Sequence, residues 1–354
     1  HYPDVFKDAG TSVGGVRVKI GDGVERIPAY IFKDCTGLTG SVTIPNSVTD
    51  IGWYAFADCT GLTGVTLGGN VTKIEERAFN NCTGLTSIVF PDSVTDIGNW
   101  AFAGCTGLTN VKVPGRVTSI SEGVFANCTG LTDAVIPDGV TSVGERAFSG
   151  CVGLTGVEIP DDVTSIGDYA FSGCAGLTGI EIHECVTKIG LGAFSFCENL
   201  AEVRYNAKAA GDIQYDPMTD IAEQDHVFRR AGADRDGLTV TIGSGVECIP
   251  SRLFYGCTGL KEVHFIGTEE EWKAVSIGSD NDPLINAAIT YVKEPISGSC
   301  GDNLTYKLDS AGLLTISGTG AMADYESKTD SASGEEITTA PWGNQAKTVV
   351  IGDG

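Results

Sequence analysis

Cysteines recur at Cys59, Cys82, Cys105, Cys128, Cys151, Cys174 and Cys197, each 23 residues after the one before. Three residues ahead of each stands a Phe: Phe56, Phe79, Phe102, Phe125, Phe148, Phe171 and Phe194. Three residues behind each stands a Leu, from Leu62 to Leu200. A fixed period of roughly 20–29 residues with regularly placed Leu marks a leucine-rich solenoid. Each coil of such a chain buries its apolar edge by stacking on its neighbours, so the 354-residue length does not set a domain count.

Within a coil, apolar pairs such as Val65/Leu67, Val111/Val113 and Ile180/Ile182 alternate as a strand with one buried face. A Pro often follows, as at Pro114 and Pro160, and ends the ladder because it lacks an N–H. Next comes Val-x-x-Ile, as at Val94/Ile97 and Val163/Ile166. Ala-Phe then plugs the coil, and Thr-Gly-Leu turns into the next strand. The fold predicted is a leucine-rich repeat solenoid of 23-residue coils, mostly β with 3₁₀ or short helical turns, capped and followed by a small β-unit.

Nine cysteines share the repeat position, the seven above plus Cys35 and Cys257. They are expected to form a ladder with a step of ~4.8 Å, filled by small, buried, free thiols rather than disulfides. Cys185, Cys248 and Cys300 lie off the ladder as partly exposed thiols whose pairing the sequence leaves open. The net charge is -23 and the pI about 4.4. That balance disfavours nucleic acid and anionic membrane surfaces, and its spread along the chain fits solubility. No run of ~18 apolar residues predicts a membrane span.

Residues 1–267 read as the solenoid. Its opening stretch repeats at a constant offset of 222, Phe6 falling on Phe228, Val18 on Val240 and Cys35 on Cys257. One coil, 206–237, is enlarged: Val203 and Val240 are 37 apart, 14 more than the standard spacing. The period stops after Phe265, and the polar segment 268–294, with Trp272 in a short helix, reads as a closing cap. Residues 295–354 read as a β-unit with a hairpin around Ser310-Ala311-Gly312 and a polar loop, YESKTDSASGEEITTAPW. Its last residues, VVIGDG, repeat VKIGDG of Val18–Gly23, as at the start of a second array. Both ends read as cut from something longer.

The phrase CTGLTSIVFPDSVTDIGNWAFAGC, Cys82–Cys105, resembles the BspA-type leucine-rich repeats of bacterial surface proteins. The likeness covers about three quarters of the chain. The segment GTEEEW…AAITYV resembles the cap of such arrays, and Leu304–Gly354 the β-unit that often precedes another array. The resemblance implies a secreted or wall-displayed protein of a host-associated bacterium, extracellular or at the cell surface, acting in adhesion or ligand binding. It carries no motif for a particular ligand.

Catalytic constellations are not found. The four histidines, His1, His183, His226 and His264, lack a second His at metal-site spacing. His183-Glu184-Cys185 looks like a ligand cluster, yet it replaces the turn Pro160-Asp161-Asp162 of the preceding coil. Asp234-Arg235-Asp236-Gly237 and Ser279-Asp280-Asn281-Asp282 read as acidic turns, short of a calcium loop. No cofactor and no metal site is predicted.

Surface remains. One residue per coil points outward between the buried strand positions, and stacking places these in a row along the concave face. Thr66, Val89, Lys112, Val135, Glu158, Glu181 and Arg204 are the predicted ligand-binding residues, neutral at one end and acidic at the other. A second row lies five residues before each Cys and includes Tyr30, Tyr54, Arg77, Trp100, Arg146 and Tyr169. Coil-on-coil stacking, with Arg77 on Tyr54 or Trp100, is favoured there over a binding hot spot. The chain thus reads as a non-enzymatic bacterial surface protein that binds a host or bacterial protein or glycan. The alternative is a structural spacer displaying another domain of a longer secreted protein. A monomer with neither nucleic-acid binding nor membrane insertion is expected.

Overall fold

Each coil lays down two parallel strands that pair with their equivalents in the coils before and after. The computed structural model describes residues 6–9, 14–211, 226–234 and 237–293, and beyond them the strands Ile296–Gly301, Leu304–Leu308, Leu313–Gly318, Ser327–Thr329, Glu336–Thr338 and Thr348–Ile351. The chain divides into two units, residues 1–264 with 273–289, and 265–272 with 290–354.

The first unit is a β-solenoid of about eleven turns. Its longer strands, such as Leu62–Thr66, Ser87–Val89 and Gly179–Ile182, pair in parallel with Val65 beside Ile88 and Ile180 beside Val203. The two-residue strands pair the same way, Ile51 beside Ile74 and Ile74 beside Ile97. The strict register follows from the period. A slip by one residue would turn Val65 and Ile88 out of the core. Cys35 and Cys59 are 24 apart rather than 23. The extra residue is absorbed where the register shifts between Gly40 and Ser41, with Gly40 at φ +79°, a conformation that suits glycine.

Ten phenylalanines, Phe32 to Phe254, stack along the array with ring centroids 5.1–5.9 Å apart. The enlarged coil stays in this stack, since Phe228 lies 5.3 Å from both Phe194 and Phe254. Its excess residues, 212–225, lie outside the described residues. Coils approach so closely that a Cβ on Gly84 would lie 2.5 Å from the carbonyl oxygen of Thr60. The repeated Thr-Gly-Leu follows from that contact.

Ladder cysteines are buried and free. Each thiol from Cys59 to Cys197 donates to the carbonyl of the stacked Phe of the preceding coil, 26 residues earlier (27 for Cys59), at 3.0–3.3 Å. Burial pushes the thiols of Cys59, Cys105, Cys151, Cys197 and Cys257 up to about 12. They are therefore protonated and unreactive near neutral pH. Cys185 is exposed and Cys248 half-buried, while the side chain of Cys300 lies outside the described residues.

The period does not stop at Phe265, as the sequence reading expects. Ser276-Ile277-Gly278 repeats Ser165-Ile166-Gly167 and forms a further short strand, Ile277 pairing beside Ile249. Asp280 then takes φ 60°, the value found at the residue five before each Cys. Asn281 falls where the earlier coils have Ala, and Pro283 ends the imitation. Sequence reasoning missed this half-coil because the Ala-Phe that marks the position elsewhere is replaced by Asn-Asp.

In the second unit, Thr268 caps a helix that begins at Glu269. Its N–H donates to Oε2 of Glu271 at 2.7 Å, and its hydroxyl accepts the Glu271 N–H at 3.2 Å. Trp272 is buried against Phe265, ring centroids 5.2 Å apart. Leu304–Leu308 and Leu313–Gly318 form the expected antiparallel pair. The turn at 309–312 lies outside the described residues. Ser327–Thr329 pairs antiparallel with Glu336–Thr338 inside the stretch read as a loop. Thr348–Ile351 joins Leu313–Gly318 in parallel.

Candidate binding face

The outward row stands on the longer strands, and the parallel register aligns it. Thr43, Thr66 and Val89 are successive partners, as are Lys112 and Val135, and Glu181, Arg204 and Thr241. Thr66, Lys112, Glu158 and Arg204 are exposed, and Glu181 is half-buried. Val89 is 76% exposed and Val135 44%, which leaves apolar area open to solvent along the row.

Two hollows open on this face, one at each end of the row. The larger, about 680 Å³, is lined by Lys19, Asp22, Ser41, Thr43, Asn46 and Thr66 among others. The other, about 460 Å³, has Glu158, Glu181, Glu202 and Arg204 on its walls and Gly156 and Gly179 on its floor. A Cβ on Gly156 would meet nothing within 4 Å, so the hollow exists because side chains are absent there. Sequence reasoning missed it, since it weighed the residues that are present. Two neighbouring Gly at the outward position, amid Ser87, Asn110, Asp133 and Glu202, were the available clue.

Charges around the smaller hollow are partly paired. Arg204 Nε lies 2.9 Å from Glu202 Oε1, and Asn206 Nδ2 donates to Glu181 Oε1 at 2.8 Å. His183 Nδ1 lies 2.8 Å from Asp161 Oδ1 and 4.0 Å from Glu181. Glu158 has no hydrogen bond or ion pair among the described residues. Glu184 turns instead to Lys208 Nζ at 2.7 Å, whose hydrogen bond and charge hold its carboxyl below the usual range. The trio His183, Glu184 and Cys185 is therefore not convergent. Among the described residues no group of three or more His, Cys, Asp or Glu could hold a metal ion, and no helix is long and apolar enough to cross a membrane.

The second row is built on left-handed backbone. Tyr30, Tyr54, Arg77, Trp100, Arg146, Tyr169 and Arg252 have φ between 52° and 63°, and Gly123 and Gly192 stand at the same position. Their side chains lie on neighbouring coils. Tyr30 stacks on Tyr54 at 5.1 Å, and Arg77 lies over Tyr54 at 5.5 Å with Nη1 donating to its hydroxyl at 2.7 Å. Arg146 covers Tyr169 at 4.9 Å. The indole of Trp100 lies over Gly123, where a Cβ would approach to 2.4 Å.

Residues 16–132, 118–214 and 237–276 match the BspA type leucine rich repeat region, in six copies. No protein of curated function matches the chain. Among solved structures, a leucine rich cell surface protein from Faecalibacterium prausnitzii is 26% identical, covering 73% of this chain and 90% of its own, with a TM-score of 0.39. The leucine rich repeat protein of T. pallidum is 32% identical over 46% of this chain and 78% of its own, TM-score 0.44. A leucine-rich repeat protein from Eubacterium ventriosum is 24% identical over 70% and 72%, TM-score 0.44.

Proposed function

From the premise that this chain belongs to the BspA-type leucine-rich repeat family, we propose that it is a non-catalytic bacterial surface protein. It captures a protein or glycan on the long-strand face of its solenoid. One observation carries this reading: a register-aligned row of outward side chains with a hollow at each end. Repeat arrays gain affinity from extended faces of this kind, with contacts spread over several coils. The exposed Val89 and Val135 supply apolar area between the hollows, and Glu158, Glu181 and Arg204 supply charge.

The family and the cell-surface relative support an extracellular location. The test is capture of host matrix proteins and glycans by the soluble chain at two salt concentrations. A hit weakened by salt supports recognition through the charged end of the row. Absence of capture across the panel counts against it.

A further inference from the structure

The long strands do not make one continuous sheet. Parallel pairing stops between Ser87–Val89 and Asn110–Lys112, and again between Gly156–Val157 and Gly179–Ile182. The short strands run on past the second break, Ile166 pairing with both Val143 and Ile189. The coils there stay joined on that side, and the interruption falls on the face that carries the smaller hollow. Gly156 and Gly179 border the break. Glycine inside a strand marks a place where another group comes close to the backbone. No side chain of this chain does so here. A Cβ on Gly156 would meet nothing within 4 Å, and one on Gly179 only the Glu202 carbonyl oxygen, at 3.8 Å.

The walls offer hydrogen-bond acceptors in excess. Thr155 and Thr178 have spent their hydroxyl protons on the backbone carbonyls of Thr132 and Thr155, at 3.3 and 3.2 Å. Each has only lone pairs left. Three carboxylates, Glu158, Glu181 and Glu202, stand against one guanidinium, Arg204, whose Nε is held by Glu202 at 2.9 Å. Nδ1 of His183 faces Asp161 at 2.8 Å. Glu158 is exposed and unmatched among the described residues.

We propose that this hollow receives an arginine side chain of a protein partner, with Glu158 as its counter-ion and Gly156 and Gly179 beneath its guanidinium. The inference rests on the reading of the long-strand face as the capture surface, and names what is captured there: a polypeptide that presents an arginine. A guanidinium has five N–H donors, no acceptor and a fixed positive charge, so it answers the surplus of acceptors and of negative charge together. Its planar fork matches carboxylate geometry. A neutral sugar brings lone pairs with every hydroxyl and leaves the charge uncompensated, and an acidic glycan adds to it. The net charge of -23 steers a basic segment toward the chain before it docks.

The test uses the full chain and two peptides, acetyl-Gly-Gly-Arg-Gly-Gly-amide and its citrulline counterpart, which keeps the shape and loses the charge. Binding is followed by ligand-observed NMR. The arginine peptide is expected to bind with a Kd on the order of 1 mM, at least about tenfold tighter than the citrulline peptide. Gly156→Leu fills the hollow without changing any charge, and its Cβ has open space, so binding should be lost while the Tm holds. Glu158→Gln should weaken binding, whereas Asp96→Asn, the same change of charge on a short strand, should leave it unaltered. Equal binding of the two peptides overturns the proposal, as does no binding of the arginine peptide up to about 10 mM. Undiminished binding to Gly156→Leu also overturns it, because a general attraction to an acidic chain then suffices. A glycan held by the parent and lost in Gly156→Leu, with the arginine peptide inert, overturns it in favour of a sugar. Each of these results leaves the capture face standing, since that reading fails only when a partner found by screening is held undiminished after Glu158, Glu181 and Arg204 are replaced together.

Discussion

The amide of Phe254 donates to Oδ1 of Asn281 at 3.0 Å. Phe56, Phe79 and Phe148 give the same hydrogen bond to the backbone carbonyls of Ala78, Ala101 and Ala170 in the coils that follow them. A side chain thus stands in for a backbone where the full coils end. Nδ2 of Asn281 donates to the carbonyls of Pro250 and Gly278, so the buried amide group is satisfied on both sides. Replacing Asn281 by Ala strands the Phe254 N–H and two carbonyls. A loss of about 1–3 kcal/mol is expected in urea unfolding, together with faster hydrogen exchange at the Phe254 amide. Unchanged exchange there would contradict the capping role.

Coil spacing is set by glycine at the points of closest approach. Alanine at Gly84 would place a Cβ 2.5 Å from the Thr60 carbonyl oxygen, and at Gly98 one 2.6 Å from the amide of Glu76. Either substitution should cost about 1–3 kcal/mol, because the obstacle is backbone and cannot swing away. Gly69→Ala, whose nearest neighbour would be 3.7 Å away, serves as the control and should be close to neutral. Thermal melting of the three variants separates the cases.

The second row joins two opposing effects. Left-handed backbone at Arg77 costs roughly 1–2 kcal/mol relative to a relaxed residue. The guanidinium over the Tyr54 ring returns part of that. A double-mutant cycle with Arg77→Gly and Tyr54→Ala should give a coupling of about 0.5–1 kcal/mol, while Arg77→Gly alone should be nearly neutral. Strong destabilisation by Arg77→Gly would show that the row matters more than this balance allows.

The cysteine ladder makes stability depend on pH in one direction. The thiols of Cys59, Cys105, Cys151 and Cys197 are raised from about 9 to about 12 by burial, and those of Cys82, Cys128 and Cys174 are raised likewise, so the folded state keeps its protons where the unfolded chain loses them. With more protons bound to the native state, stability falls as pH rises. It should be level below pH 9 and decline from about 9 towards 12, seen as a falling Tm. A Cys→Ala change at Cys105 should shallow that decline. A native-state thiol assay at neutral pH should modify Cys185 and spare the ladder.

How far these features could be read in advance differs from residue to residue. The 23-residue spacing of Phe and Cys was enough for the coil, the aromatic stack and the inward thiols, because one-dimensional stacking maps period directly onto contact. The outward row followed from strand alternation alone. The left-handed row did not, since Tyr, Arg and Trp are poor markers of positive φ. The half-coil at Ile277–Asn281 was hidden because a buried Asn performs a backbone's task there. The smaller hollow was hidden because Gly156 and Gly179 act by leaving space.

The most direct test of the binding face compares the chain with a variant carrying Glu158→Gln, Glu181→Gln and Arg204→Gln, using whichever matrix protein or glycan the screen identifies. Glu158 and Arg204 are exposed, and Gln at position 181 keeps an oxygen to accept from Asn206, so folding should be unaffected and the Tm should match the parent. Capture weakened at least about tenfold, a loss of about 1.4 kcal/mol, is the predicted result. Undiminished capture by a variant that melts with the parent would contradict the placement of the binding site on this face.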